Sequence, residues 1–414
     1  MISEIDRTLL NACQRGYLSD AKLNVENGAD VTCLDYEPLI QAVRNGNIEL
    51  VDYLLNQGAD ITAQDELPII EAARHGFVKM MEYMIDKGAD IRAQDDMVMV
   101  KAAEHGSVDM LNYLSNQGLD YHAQGDQALV EASRNGNYEC VDFLVEKGVC
   151  EEAHRKAVLE ASRNSHLPVV KYLIENYPVE RFQEFECIVT AAESGSDQLV
   201  RYLYEQIGNI EDTNYLEDAL TLASKSGNVS IVRYLSNLIT IENILPSLIC
   251  EASRYGNLEV VRYLHDHRGG DVTVYDDLPF ILACRTENLE LVKYLFRQGT
   301  NHRAQDDTPI CQAADVGALR TVKYLHFYGA DLSAQNSKPL LFSLMNGHDH
   351  VRDYIVKHTE VILSSPQKLM FASKSRNSEI HVELYENGVS FHFQKRKDCI
   401  PDMLPILDNS LRED

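Results

Sequence analysis

The sequence predicts an all-α solenoid of about 13 stacked helix-turn-helix units, and three observations predict it. A Tyr-Leu dipeptide or its close equivalent returns every 29 to 32 residues, from Tyr53-Leu54 through Tyr83-Met84 and Phe143-Leu144 to Tyr354-Ile355. A Pro-apolar-apolar-x-Ala-Ala element, typified by Pro68 to Ala73, precedes many of these dipeptides. Glycines close both stretches, as Gly58 and Gly76 do. Self-similarity at a fixed period in one chain marks a stacked repeat architecture, so length alone, which would suggest two or three globular domains, is a poor guide.

The first stretch, as in Pro68 to Arg74, reads as a short helix with proline at its first position, where a missing N–H costs nothing. In the second stretch Ile48, Val51, Leu54 and Leu55 are spaced by three, three and one. That is the apolar stripe of an amphipathic helix. Neither helix is long enough to be stable alone, so each pair must bury its apolar face against its neighbours.

Gly58-Ala59-Asp60 followed by Ala63, then the Pro-apolar-apolar-x-Ala-Ala element, then x-Gly-x-x-x-x-Val, closely resemble the ankyrin repeat. The resemblance covers roughly residues 8 to 389 and places units at 8, 38, 68, 98, 128, 157, 187, 219, 248, 279, 309, 339 and 368, the last one partial. Residues 1–389 are thus expected to form the solenoid and 390–414 a C-terminal cap or tail. The period near 30, the recurring Ala-Gln-Asp and the Tyr-Leu ending also resemble the expanded ankyrin proteins of amoeba-infecting giant DNA viruses.

The chain departs from the family in three places. A usual ankyrin unit runs about 33 residues, and here only Gln64, Asp65, Glu66 and Leu67 separate Ala63 from Pro68. The β-hairpin finger is shortened and has little room for a two-residue turn between strands, so tight turns are expected in place of paired strands. The family's capping threonine survives only as Thr308, and its histidine column is apolar at Ile40, Ile70, Val100, Val130, Leu159, Val189, Ile281 and Leu341. A lost cap costs about 1 kcal/mol, which apolar burial at ~1.5 to 3 kcal/mol per side chain can offset. Between Cys150 and Pro246 the Gly-Ala-Asp turn gives way to NYPVERFQEFE, QIGNIEDTNYLED and NLITIENILP. These are either drifted surface connectors or, through Phe182, Phe185 and Tyr215, a specialised contact.

A formal charge of -26 would repel a phosphate backbone and offers little to an anionic membrane, so neither nucleic acid nor membrane is expected as a partner. A basic protein surface fits better. No basic, apolar leader opens the chain and no apolar run approaches a spanning helix, which favours an intracellular protein. The nine cysteines form no CxxC pair and read as small core residues; Cys250 and Cys311 share the position of Ile40 and Ile70.

Three columns are candidates for contact. Ten of the 21 tyrosines share one repeat position, where each ring is expected to fill the gap between second helices with its hydroxyl at the rim. Near the end of the first helix lie Arg44, Arg74, Arg134, Arg163, Lys225, Arg254 and Arg285, several of them three residues after Glu71, Glu131, Glu160 or Glu251. Salt bridging and partner reading both fit that spacing. In ankyrin proteins the first helix lines the concave groove, so the resemblance makes this arginine column the expected contact surface. The shortened fingers carry Asp65, Glu66, Asp95 and Asp96, read either as turn formers or as a face for a basic partner.

No Gly-rich phosphate loop, GxSxG or HExxH occurs, and the 14 histidines do not fall into ligand spacing, so no catalytic residue, metal site or cofactor is expected. His75 and His105 occupy a turn position. In the tail, Lys395, Arg396 and Lys397 fit either a nuclear import signal or closure of the last unit. The expectation is a non-enzymatic scaffold that binds a protein through its concave face. The resemblance implies a viral protein acting on host or viral proteins, in the host cytoplasm or in the virion. The alternatives are a substrate adaptor for a host ubiquitin ligase and a structural virion component. Oligomeric state stays open.

Overall fold

Twelve successive helix pairs account for the 24 helices of the computed structural model, which describes residues 3–176, 186–207 and 213–359 together with strand segments 367–371, 378–385 and 388–395. The chain divides into two compact units, Met1–Tyr215 and Leu216–Asp414. The division falls in QIGNIEDTNYLED, one of the connectors that lack the Gly-Ala-Asp turn.

In the first unit α1 (Glu4–Gln14) pairs with α2 (Leu18–Glu26), α3 (Cys33–Asn45) with α4 (Ile48–Asn56), α5 (Ala63–Arg74) with α6 (Val78–Asp86) and α7 (Ala93–His105) with α8 (Val108–Asn116). α9 (Ala123–Asn135) and α10 (Tyr138–Glu146), α11 (Glu151–Arg163) and α12 (Leu167–Asn176), and α13 (Glu186–Glu193) and α14 (Asp197–Ile207) follow. The second unit holds α15 (Asn214–Ser226), which begins at the boundary, with α16 (Val229–Ser236), then α17 (Leu245–Arg254) with α18 (Leu258–Arg268). α19 (Val274–Cys284) with α20 (Leu289–Arg297), α21 (Ala304–Asp315) with α22 (Leu319–Phe327) and α23 (Ala334–Met345) with α24 (Asp349–His358) complete it. Each pair contains one of the first twelve start positions given above.

Within each unit the first helices of neighbouring pairs touch over more of their length than the second helices do. The first helices therefore carry most of the contact between successive pairs in each unit. A single repeat position forms the apolar seam there: Leu39, Ile69, Met99, Leu129, Val158 and Ile188 in the first unit, then Leu220, Ile249, Phe280, Ile310 and Leu340 in the second, none more than 2% exposed. The apolar column that replaces the family's histidine adds Ile40, Ile70, Val100, Val130 and Ile281 to the buried set, while Leu159, Val189 and Leu341 are half-buried. Cys250 and Cys311 are buried in that same position, as the spacing predicts.

Helices α4, α8, α16 and α20 start on side-chain caps. The Asn47 side chain accepts from the Leu50 amide at 3.0 Å, and Ser107, Asn228 and Asn288 do the same in their units. First helices end on glycine for two reasons that one position makes plain. Gly136 has φ +74, and a Cβ there would lie 2.5 Å from His166 Nδ1 of the next pair. His166 occupies that place because its Nε2 is 3.0 Å from the Arg134 carbonyl. Only glycine satisfies both the left-handed backbone and the close neighbour.

The shortened fingers do form tight turns, of an unusual kind. Gln64, Asp65 and Glu66 have φ 51, 55 and 65, one turn of left-handed coil, and Leu34–Tyr36, Gln94–Asp96, Tyr275–Asp277, Gln305–Asp307 and Gln335–Ser337 repeat it. The form is costly, at about 1 kcal/mol or more for each non-glycine residue. Interunit bonds offset the cost. Gln64 Nε2 donates to the Asp35 carbonyl at 2.7 Å, Gln94 to the Asp65 carbonyl at 2.7 Å and Gln335 to the Asp306 carbonyl at 3.0 Å, so each tip is tied to the one before it. Thr308, the surviving family threonine, accepts from Gln335 at 2.8 Å and joins this ladder. One unit already has glycine at the central position, Gly125 with φ +67. Asp65→Gly is therefore expected to raise stability by about 1 kcal/mol and Asp65→Val to lower it, read as opposite shifts of the urea midpoint.

The partial thirteenth unit predicted from 368 is not a helix pair. Strands β1 (Gln367–Phe371), β2 (Ser378–Tyr385) and β3 (Gly388–Lys395) form an antiparallel sheet in the order β1-β2-β3, with Leu384 opposite Val389 and Ile380 opposite Phe393. The reason is the apolar period. Ile380, Val382 and Leu384, then Val389, Phe391 and Phe393, alternate at two, the strand repeat rather than 3.6. β3 lies against α23 of the last pair. Arg396 and Lys397, and the rest of the tail to 414, lie outside the described residues, as do Phe182 and Phe185; Tyr215 is half-buried in α15.

Candidate protein-interaction surface

The arginine column stands on the first-helix side, and most of its members are held in place by carboxylates. Arg44 reaches Glu37 at 3.4 Å and, in the next pair, Glu71 at 3.2 Å. Arg74 lies 3.4 Å from the same Glu71, whose side chain is only 2% exposed. Further along, Glu160 links Arg134 at 2.9 Å and Arg163 at 2.7 Å, while Glu131 takes Arg134 at 2.7 Å. Arg254 pairs with Glu251 at 3.3 Å and Arg285 is exposed at the end of α19. A carboxylate shared between arginines of successive pairs makes a ladder, so the guanidiniums are fixed and still partly exposed. Surface pairs of this kind contribute only about 0 to 1 kcal/mol each; their stronger effect is to preorganise the face.

The finger acids divide into two roles. Asp65 and Asp95 are exposed at the tips of the left-handed turns. Asp96 is buried and Glu66 half-buried. Asp96 is 6% exposed and accepts from the Asp120 amide of the next unit at 3.1 Å. Asp126 does the same with the Cys150 amide at 2.9 Å, and Asp307 with that of Asp331. Burial alone would raise the Asp126 pKa; the hydrogen bonds from Cys150 and His122 outweigh it and hold the group below its ordinary range. Burial raises the Glu66 pKa, opposed by its bond to the Asp90 backbone. These carboxylates clamp the following Gly-Ala-Asp turn and are used up there. The signal was in the sequence as an acid placed 24 residues before Asp30, Asp90, Asp120 and Asp331, though not before Asp60, where Tyr36 stands.

On the second-helix side the tyrosine column fills the gaps between second helices, as its spacing predicts, and each ring is buried or half-buried. The sequence did not disclose the next step. In several pairs the residue just before the tyrosine position engages the tyrosine of the following pair: Tyr83 donates to Asp52 at 2.6 Å, whereas Arg233 lies over the Tyr263 ring, Arg262 over Tyr294 and Lys323 over Tyr354, at 5.3 to 5.5 Å. Burial first, and the Asp142 hydrogen bond second, push the Tyr172 hydroxyl well above its usual range.

The remaining ionisable groups do not converge. Among the described residues no group of three or more His, Cys, Asp or Glu side chains could hold a metal ion. Burial pushes the Cys140 and Cys311 thiols up to about 12, which makes them inert core residues. His75 and His105 meet edge to face at 5.8 Å, with burial lowering the His75 pKa, a packing role at the helix ends. No helix among the described residues is long and apolar enough to cross a membrane.

Comparison with known families agrees with the repeat geometry. The family model of ankyrin repeats matches three times, at residues 9–95, 97–181 and 158–244, together more than half of the chain. Ankyrin repeats are general protein–protein interaction modules, and proteins built from them are typically non-enzymatic. No curated protein matches the chain.

Proposed function

Because this chain belongs to the ankyrin-repeat family, we propose that it is a non-enzymatic scaffold that binds a protein partner through the first-helix faces of its repeats. The observation that carries the reading is the arginine ladder. Arg44, Arg74, Arg134 and Arg163 are spaced by the repeat, partly exposed and oriented by Glu71, Glu131 and Glu160. Preordered side chains lose little freedom on binding, which is where affinity at a polar face comes from. The exposed Asp65 and Asp95 at the finger tips, and the net charge of -26, favour a partner whose own surface is basic near the fingers. The resemblance of its period near 30 and its Ala-Gln-Asp recurrence to the ankyrin proteins of giant DNA viruses implies a viral protein that works inside the infected cell on host or viral proteins.

Affinity capture with the full chain tests this. The intact protein is expected to retain specific partners, and a variant carrying Arg74→Glu, Arg134→Glu and Arg163→Glu is expected to retain them at least about tenfold less, at unchanged helix content by circular dichroism. Equal capture by both proteins would overturn the groove assignment.

A further inference from the structure

The second-helix face carries a change of sign that the first-helix arginines do not explain. In the column just before the recurring tyrosine, α4 to α10 place Asp52, Glu82, Asn112 and Asp142, flanked by Lys22 of α2 and by Lys171 and Arg201 of α12 and α14. At the same position α16 to α22 place Arg233, Arg262, Lys293 and Lys323. Two further positions, four before the tyrosine and three after it, lie on the same helix face by the i, i+3, i+7 rule. There the acidic helices add the exposed Glu49, Glu139, Asp86 and Glu146 against Lys79, and the later ones add the exposed Arg320 and Arg297 beside Asp266, Glu259 and Glu290, of which Glu259 pairs with Arg262 at 3.3 Å and Glu290 with Lys293 at 2.8 Å. Counted over whole helices, α4, α6, α8 and α10 hold eight carboxylates against Lys79, with Lys87 and Lys147 at two C-caps. Helices α16, α18, α20 and α22 hold seven Arg or Lys against Glu259, Asp266 and Glu290. A basic strip in a chain of charge -26 is not a general solvation feature.

The strip is also built to project. Arg233, Arg262 and Lys323 are each set over the tyrosine of the next pair, which fixes their spacing to that of the repeat. Beside them Phe327 is 81% exposed and Tyr328 45%, and Phe296 and Tyr328 meet at 4.8 Å. Aromatic and arginine side chains on an open face are the composition of interface hot spots.

We infer that the basic, aromatic face of α16 to α22 docks on the acidic face of α4 to α10 of another copy of the same chain. Charge complementarity selects that occupant. The two faces come from one repeat, so their rows of side chains share one spacing, and rows of carboxylates meet rows of cations in register. Opposed charge of this kind steers encounter and fixes register, and screening beyond a Debye length of about 10 Å at 0.1 M salt weakens it.

Sedimentation of the full chain over a concentration series at low and high salt provides the test, with two charge-reversed variants. One carries Glu49→Lys, Glu82→Lys and Glu139→Lys; the other carries Arg297→Glu, Arg320→Glu and Lys323→Glu. The wild-type chain is expected to associate at low salt and to dissociate as salt rises. Each variant alone is expected to associate at least about tenfold more weakly, and an equimolar mixture of the two, in which every reversed face meets its complement, is expected to recover association. A chain that stays monomeric at low salt overturns the inference, as does association that ignores both sets of reversals. Retarding a fluorescent single-stranded oligonucleotide while remaining monomeric would also overturn it and reassign the strip to nucleic acid. Partner capture through the first-helix arginines is untouched by these six substitutions, so the two assignments fail separately.

Discussion

Lowering the pH from 7 to 4 is expected to remove about 3 kcal/mol of stability through His154 alone. His154 is 1% exposed in the first turn of α11, and burial drops its pKa from 6.5 to about 4, with a hydrogen bond to the Leu173 backbone opposing only part of that. Above pH 6.5 the ring is neutral in both folded and unfolded chains and its stabilising contribution is complete. Between 6.5 and 4 the unfolded chain binds a proton that the folded chain refuses, so stability falls with pH across that window and levels off below it. At ~1.4 kcal/mol per pKa unit the loss comes to about 3 kcal/mol. Carboxylates titrate in part of the same range, so the measurement is a difference. Urea denaturation of wild type and His154→Leu at pH 7 and pH 4 is expected to show the wild type losing about 3 kcal/mol more than the variant. Equal losses would mean that the imidazole is solvated.

Phe280→Ala is expected to cost about 3 to 5 kcal/mol, among the largest effects of any single truncation in the second unit. Phe280 is fully buried and occupies the seam position that Leu, Ile, Val or Met holds in the other units. Its ring therefore fills a space that its neighbours in the column, Ile249 and Ile310, cannot close by rotamer changes alone, and both are themselves fully buried. Each pair depends on the next for its apolar cover, so the loss should extend beyond α19. Hydrogen exchange is expected to quicken in α17 and α21 as well as in α19, and Phe280→Leu, which keeps most of the volume, should cost well under half as much. Loss confined to α19 would contradict a shared seam.

The helix pairs, their seam and the glycine stops were legible because each depends on spacing within one unit. Pro68 marked the start of the right-handed part of α5, and the Tyr-Leu steps located the second helices. What escaped depends on neighbouring units. The glutamines at 64, 94, 124, 305 and 335 recur as plainly as the tyrosines, yet their bonds to the preceding tip exist only once units are superposed 29 or 30 residues apart. Glu66 and Asp96 read as exposed turn acids because the amide each one clamps lies 24 residues on. α11 lacks the left-handed turn altogether and runs as plain helix from Glu151, which carries His154 into the core, and nothing local to that histidine signals it. The strands after 366 were misread for a simpler reason: the repeat count was carried past the point where the apolar period changed from 3.6 to two.

Recognition spread over consecutive first helices is the claim on which the functional account rests, and oxidative footprinting of the chain with its captured partner tests it most directly. Leu67 and Met97 sit half-exposed at the same position of successive first helices, seven residues before Arg74 and four before Lys101, and report on that face. The account predicts that partner binding lowers oxidation at both residues together and leaves Phe327 of α22 unchanged. Protection of neither, or of a single pair alone, would contradict it.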